Sequence, residues 1–159
     1  MRIRKVAAVT MAACLAASAL AGCGSKKSDE KVIKIGVFEP TTGENGGGGY
    51  QEVLGIRYAN EMHPTVNIGG EEYAVRLVEV DNKSDKTEAV NAAQKLVSEK
   101  VSVVLGSYGS GVSIAAGQIF ADAKIPAIGC SCTNPQVTEG NDYYFRVCFI
   151  DPFQGTVMA

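Results

Sequence analysis

Residues 101–136, VSVVLGSYGSGVSIAAGQIFADAKIPAIGCSCTNPQ, decide the fold. Val101 to Leu105 is an apolar run of the kind found in a central strand covered on both faces. Gly106 to Ser110 interrupts it, and Val112, Ala115, Ala116, Ile119, Phe120 and Ala123 then recur on one face of a helix, with Ser113, Gln118 and Asp122 set away from that face. Pro126 opens a short strand that runs to Gly129. Strand, glycine-rich turn, helix and strand make a βαβ unit, so two loops, GSYGS at 106–110 and SCTN at 131–134, open on the same edge of a sheet. Small molecules bind at such edges.

Working outward, Ile33, Ile35 and Val37 alternate with Lys34 and Gly36, the period of a strand, which Pro40 and Gly43 stop. The glycine tract Gly46–Gly49 reads as a flexible loop, and Tyr50 to Met62 as a helix carrying Val53, Leu54, Tyr58 and Met62. No Lys-Ser or Lys-Thr follows the glycines, and they do not come directly off the strand in dinucleotide spacing, so no phosphate-binding loop and no nucleotide cofactor is expected. Asn67, Gly69 and Gly70 turn into Tyr73–Val80, whose mixed pattern suits an edge strand. Asp85 and Glu88 have helix-start capping spacing, and Ala89, Val90, Ala93, Leu96 and Val97 form the stripe of the helix they start. Tyr143 to Val147 gives a fifth strand; Asp151, as cap, and Pro152 then begin another helix. Alternation of this kind predicts an α/β fold: a three-layer sandwich with a mostly parallel sheet and helices on both faces.

At the N-terminus, Arg2, Arg4 and Lys5 precede an apolar run from Val6 to Ala21, too short for a membrane span and suited to a secretory signal. The run ends Leu20-Ala21-Gly22-Cys23, where small residues before a cysteine form a lipoprotein cleavage site. Residues 1–22 are therefore expected to be a signal peptide, with Cys23 lipidated and 23–31 a polar tether. Loss of the signal leaves 12 basic and 17 acidic side chains. With no Lys/Arg cluster after residue 31, that acidic balance excludes a nucleic-acid partner.

From about Val32 onward the chain resembles the N-terminal lobe of type I periplasmic binding proteins, in particular the branched-chain amino acid (Leu/Ile/Val) receptors of ABC importers. The resemblance is carried by KIGVFEPTTG at the first strand, Asp81 after the second, GSYGS at 106–110, IPAIGCSCTNPQVT at 125–138 and YYFRVCFIDPFQG at 143–155. It implies a two-lobed clamp that takes up a free amino acid and hands it to an ABC permease in the membrane. The protein would be exported and lipid-anchored at the outer face of the cytoplasmic membrane, or on the periplasmic side in a two-membrane bacterium. Carried onto this sequence, Ser110 matches a serine that donates to the ligand carboxylate through hydroxyl and amide. Ser131 matches the position whose carbonyl accepts from the ammonium, and Thr133 a threonine that binds through hydroxyl and amide. Gly109 and Tyr108 lie beside Ser110, and Tyr108 offers a lining ring. Where such receptors carry an aromatic or polar side chain after the first strand, this chain has Gly46–Gly49. A clamp needs a second lobe, which 32–159 does not supply, so the chain is expected to be the N-terminal lobe, truncated at its C-terminus.

The residues themselves agree with that assignment. Ser110 stands at a helix N-terminus, where free N–H groups and the dipole favour an anion without a basic side chain. A neutral grip of this kind tolerates a zwitterion. Cys130, Cys132 and Cys148 raise the alternative of a thiol- or metal-dependent protein, but His63 is the only histidine and C-x-C is not the usual zinc spacing, so no metal is expected. Cys130 and Cys132, two apart on an extended segment, point to opposite faces and are poorly placed for a disulfide. No nucleophile elbow accompanies His63, which argues against an enzyme. A sensor domain of a signalling receptor remains the alternative to a transport receptor.

Overall fold

The two periodicities in the sequence sort the chain into strands and helices much as they predict. The computed structural model describes residues 31–159; the expected signal peptide, Cys23 and the expected tether up to Glu30 lie outside the described residues. Among the described residues the strands are β1 (Val32–Glu39), β2 (Thr65–Ile68), β3 (Glu71–Asp81), β4 (Val103–Leu105), β5 (Ala127–Gly129) and β6 (Tyr144–Arg146). The helices are α1 (Gly46–Met62), α2 (Lys86–Ser98), α3 (Ser110–Asp122) and α4 (Asp151–Met158), with a 3-10 turn at Pro135–Val137.

The strands form one sheet in the order β2-β3-β1-β4-β5-β6. Every pairing is parallel except β2 with β3. On one face Phe38 and Val104 pack against α2 and α3 through Ala93, Leu96, Ala116 and Phe120. Phe38 and Phe120 meet edge to face, 5.5 Å between centroids and 84° between planes, an arrangement that contributes about 0.5–1.5 kcal/mol beyond burial. On the opposite face Val37 and Val53 of α1, both buried, line one crevice. The expected α/β sandwich, mostly parallel with helices on both faces, is what the chain forms.

The order of the strands positions the site. From β1 the chain crosses to β3 on one side, whereas from β4 it crosses to β5 on the other. The carboxyl ends of β1 and β4 therefore flank a topological switch point, the crevice where α/β sheets bind ligands.

Several local expectations need correcting. Gly46–Gly49 is not a loop but the first turn of α1. Close packing explains two of these glycines: a Cβ on Gly49 would run into Pro40, and one on Gly48 into the Tyr108 ring, whereas Gly47 faces open space. β3 is not the edge strand, because Thr65–Ile68, only four residues long and running into the Gly69-Gly70 turn, pairs antiparallel outside it. Ser113 does not face solvent; it is fully buried and its hydroxyl donates to the Gly109 carbonyl at 3.1 Å, returning its polarity to its own helix. Asp151 is the first residue of α4 rather than its cap, which is Ile150. The Asp85 cap is where the spacing puts it, its Oδ1 accepting from Thr87 N and Glu88 N at 2.8 and 2.9 Å.

Phe120 is fully buried in the cluster between sheet and helices, while Ile114 on the same helix is 40% exposed. Phe120→Ala should cost about 3–5 kcal/mol in urea unfolding and Ile114→Ala within about 0.5 kcal/mol. Equal effects would mean that α3 packs through a different face.

Candidate functional site

Gly106–Gly109 leaves the end of β4 under an unusual density of polar restraints. Gly106 N donates to Ile128 O at 2.9 Å, and the Tyr144 hydroxyl donates to Gly106 O at 2.7 Å. Gly106 has φ of 117° and is backed so closely by Phe38 O and the Glu39 carboxyl that no side chain fits there. Ser107 is fully buried, its hydroxyl accepting from Asn82 Nδ2 at 2.8 Å. Tyr108 N donates to Glu39 Oε2 at 2.6 Å. Gly109, φ 113°, is the N-cap of α3 and has no side chain to occupy the first-turn N–H groups.

The loop after β5 is held by a single guanidinium. Arg146 Nη1 donates to the carbonyls of Cys132 and Asn134 at 3.0 and 2.8 Å, and Nη2 to Pro135 O at 3.0 Å and Thr138 Oγ1 at 2.7 Å. Asn134 Oδ1 accepts from Gln136 N at 2.9 Å and starts the 3-10 turn, and Thr133 O accepts from Asp151 N at 3.0 Å. Sequence reasoning assigns Arg146 no role; its one signal is a lone arginine at the end of a short strand, and the structure shows it satisfying carbonyls of the preceding loop.

The two loops meet directly, because Ser110 Oγ accepts from Asn134 N at 3.1 Å. Of the residues singled out in the sequence, Ser110 and Thr133 are half-buried on these facing loops, Tyr108 is 37% exposed beside them, and Ser131 turns a buried hydroxyl inward that has no partner among the described residues. A third loop closes the same edge. Asp81 Oδ1 accepts from Thr41 N at 3.0 Å and Lys83 N at 2.8 Å, and its Oδ2 from Thr42 Oγ1 at 2.6 Å. Burial works to raise its pKa, but the hydrogen bonds from Thr42, Lys83 and Thr41 prevail and hold it below the usual carboxylate range.

Beneath the loops, Glu39 Oε1 and Glu52 Oε2 are buried without a donor among the described residues. An oxygen from each lies with Cys130 Sγ within a mutual 4.8 Å. Burial, then the neighbouring Glu52 carboxyl, pushes Glu39 up to about 9. The thiols are similarly suppressed. Burial, followed by the Glu52 and Glu39 charges, pushes Cys130 up to about 12, and burial followed by Cys148 pushes Cys132 up to about 11. Both stay protonated at neutral pH, the form that neither attacks electrophiles nor ligates metals well. Cys130, Cys132 and Cys148 are all free thiols.

Polar loops at the carboxyl edge of a doubly wound sheet are the ligand-binding arrangement of α/β proteins, and comparison with known proteins makes the family explicit. The profile of the periplasmic binding protein family matches residues 32–159. The chain belongs to the periplasmic binding protein family, whose members are binding proteins of transporters and not enzymes. It is 36% identical over 143 residues to the Leu/Ile/Val-binding protein homolog 1 of Brucella abortus, an alignment covering 89% of this chain and 37% of that protein. Among solved structures, the leucine binding protein LivK of Thermotoga maritima superposes with a TM-score of 0.74 at 43% identity, over 80% of this chain and 35% of that one. The branched-chain amino acid transporter substrate binding protein LivJ of Streptococcus pneumoniae, solved in complex with isoleucine, gives 0.72 at 33% identity, over 80% and 37%. The chain thus spans little more than a third of the length of these relatives. Family membership implies an extracytoplasmic location.

Two measurements check this geometry. Arg146→Met should lower stability by about 2–4 kcal/mol, because four acceptors lose a charged donor at once, and amide exchange should accelerate at residues 132–138 rather than in α2. At pH 8, alkylation by iodoacetamide should be slower in the folded chain than in urea by about a thousandfold at Cys130 and about a hundredfold at Cys132, with the gap narrowing from about pH 9 and closing as pH approaches 11 to 12.

Proposed function

We propose that this chain is the ligand-gripping lobe of an extracytoplasmic receptor that captures an amino acid, of the branched-chain type, for an ABC importer. The observation that carries this reading is the hydrogen bond from Asn134 N to Ser110 Oγ, which draws the two loops at the carboxyl edge together beside the open N-terminus of α3. First-turn N–H groups and the Ser110 hydroxyl suit a carboxylate, and the Ser131 carbonyl suits an ammonium, those of Cys132, Thr133 and Asn134 being engaged by Arg146 and Asp151 N. Ser110, Ser131 and Thr133 are assigned to the head group, with Gly109 and Tyr108 lining it. A head-group grip built from backbone and hydroxyl groups matches a zwitterion without demanding net charge. The neighbours named for leucine, isoleucine and valine support the branched-chain assignment.

The reading includes export and anchoring through lipid on Cys23, with an ABC permease as the partner that receives the ligand. It also takes residues 32–159 as one lobe of a two-lobed clamp, in keeping with the share of the relatives that the chain spans. A single lobe buries one side of a ligand and excludes little water, so it binds weakly by itself.

Calorimetry tests both parts. Residues 24–159 titrated with leucine, isoleucine and valine should show no binding tighter than about millimolar, and micromolar affinity for the lobe alone would overturn the clamp. In a version carrying both lobes, Thr133→Ala should weaken leucine binding by about tenfold or more, the value of one hydrogen bond to a charged group. Unchanged affinity would remove Thr133 from the site.

A further inference from the structure

The two oxygens of Glu39 lie in different surroundings. The residue is 1% exposed at the end of β1; Oε2 accepts the Tyr108 N–H, while Oε1 is buried with no donor. Across the gap, Glu52 Oε2 on α1 is likewise buried with no donor among the described residues. Two acceptor-only carboxylates facing each other away from water repel and leave both oxygens unsatisfied. One proton between them removes both penalties, because a protonated carboxyl donates and a carboxylate accepts. We propose that Glu39 is a positioning residue for the ligand-gripping loop, sharing one proton with Glu52 and, fixed in that way, holding the Tyr108–Ser110 turn through the Tyr108 N–H. The inference rests on the reading of that loop as the head-group grip.

The surroundings offer no competing charge balance. Facing the pair are Tyr50 and Arg57 from α1, Glu79 and Asp81 from β3, Cys130 from the loop after β5, Tyr108 from the loop before α3 and Tyr144 from β6. Arg57 is committed to Glu79 through bonds of 2.7 and 2.6 Å, and Asp81 to the loops at 41–42 and 83. The Cys130 thiol stays neutral. Burial and Glu52 push Glu39 up to about 9, opposed by the Tyr108 N–H. The fold therefore binds this proton more tightly than the unfolded chain does. That stabilising contribution is complete below the ordinary value of 4.5 and is lost as pH rises towards 9. Past that point two charges face each other behind the turn.

Two substitutions separate the roles. Glu39→Gln keeps an acceptor for Tyr108 and gives Glu52 an amide donor, but has no proton to lose; Glu39→Leu keeps the bulk and removes both functions. In 15N-labelled chain with EDTA, the Tyr108 amide shift is followed from pH 6 to 10.5. The wild-type amide should inflect near 9, the Gln variant should match it at pH 7 and stay flat through that range, and the Leu variant should be displaced at every pH. Glu52→Gln should move the inflection downward. Any inflection arising elsewhere would persist in the Gln variant, so its persistence overturns the proposal. A wild type without inflection, or a Leu variant with Tyr108 unmoved, does the same. Repeating the titration with one equivalent of zinc ion tests the rival use of Glu39, Glu52 and Cys130 as a metal cradle; loss of the inflection, restored by EDTA, would overturn the shared proton. In a two-lobed version, leucine affinity should fall several-fold further between pH 7 and 9.5 in wild type than in Glu39→Gln, whose smaller fall reports only the titration of the leucine ammonium itself. Equal falls would overturn the positioning role. Absence of leucine, isoleucine or valine binding at any pH would sink the functional reading, leaving the amide titration to judge the carboxyl pair.

Discussion

The winding of the sheet reverses between β1 and β4, and that constraint organises the molecule. The chain leaves β1 towards one face and one edge, and leaves β4 towards the other. Nothing in the sheet itself bridges the gap left above these two strand ends. Short loops crossing such a gap expose backbone groups that no strand pairs, and each needs a partner if it is to be buried. Polar side chains supply those partners here: Glu39 and Asn82 from the ends of β1 and β3, Tyr144 and Arg146 from β6.

This arrangement divides the labour between side chains and backbone. The strongest donor near the edge, Arg146, is spent on the protein's own carbonyls, and Asp81 on the protein's own amides. Donors directed outward are then backbone N–H groups at the start of α3 and hydroxyls on two loops. Such groups are fixed in position, carry no net charge and lose little entropy when they engage a ligand. A site built in this way recognises the geometry of a small polar head group better than its overall charge.

The sheet and its helices were legible in the sequence because burial writes periodicity. The stripe from Val112 to Phe120 and the run at Val101–Leu105 stated which faces would be covered, and the Asp85 cap stated where a helix would begin. The loops at 106–110 and 131–134 could be placed at the right edge because they follow strands. What the sequence hid were long-range polar bonds. Arg146 lies 8 to 14 residues from its acceptors, and Glu39 lies 69 from Tyr108, separations at which no local pattern survives. The strand Thr65–Ile68 was hidden for a different reason. Its polar–apolar alternation spans only four residues, all exposed at the edge of the sheet, and its Asn67 reads with Gly69 and Gly70 as a turn.

The glycine tract shows how far a local rule carries and where packing overrides it. Four consecutive glycines at 46–49 have low helix propensity, each by about 1 kcal/mol relative to alanine, and a loop is the natural expectation. They form the first turn of α1 all the same, and at Gly48 and Gly49 an aromatic ring and Pro40 approach too closely for a side chain. Gly49 lets Pro40 lie against the helix, and Gly48 lets the Tyr108 ring do so. The tract is therefore half of a fitted contact whose other half comes from the loop after β4. The Tyr108 ring, from the opposite wall, occupies the space that a side chain at Gly48 would take. The same residue donates its N–H to Glu39, so the ring above the helix and the hydrogen bond below it fix one short turn from both sides. A side chain introduced at Gly48 must therefore displace the Tyr108 ring that helps to fix the turn before α3.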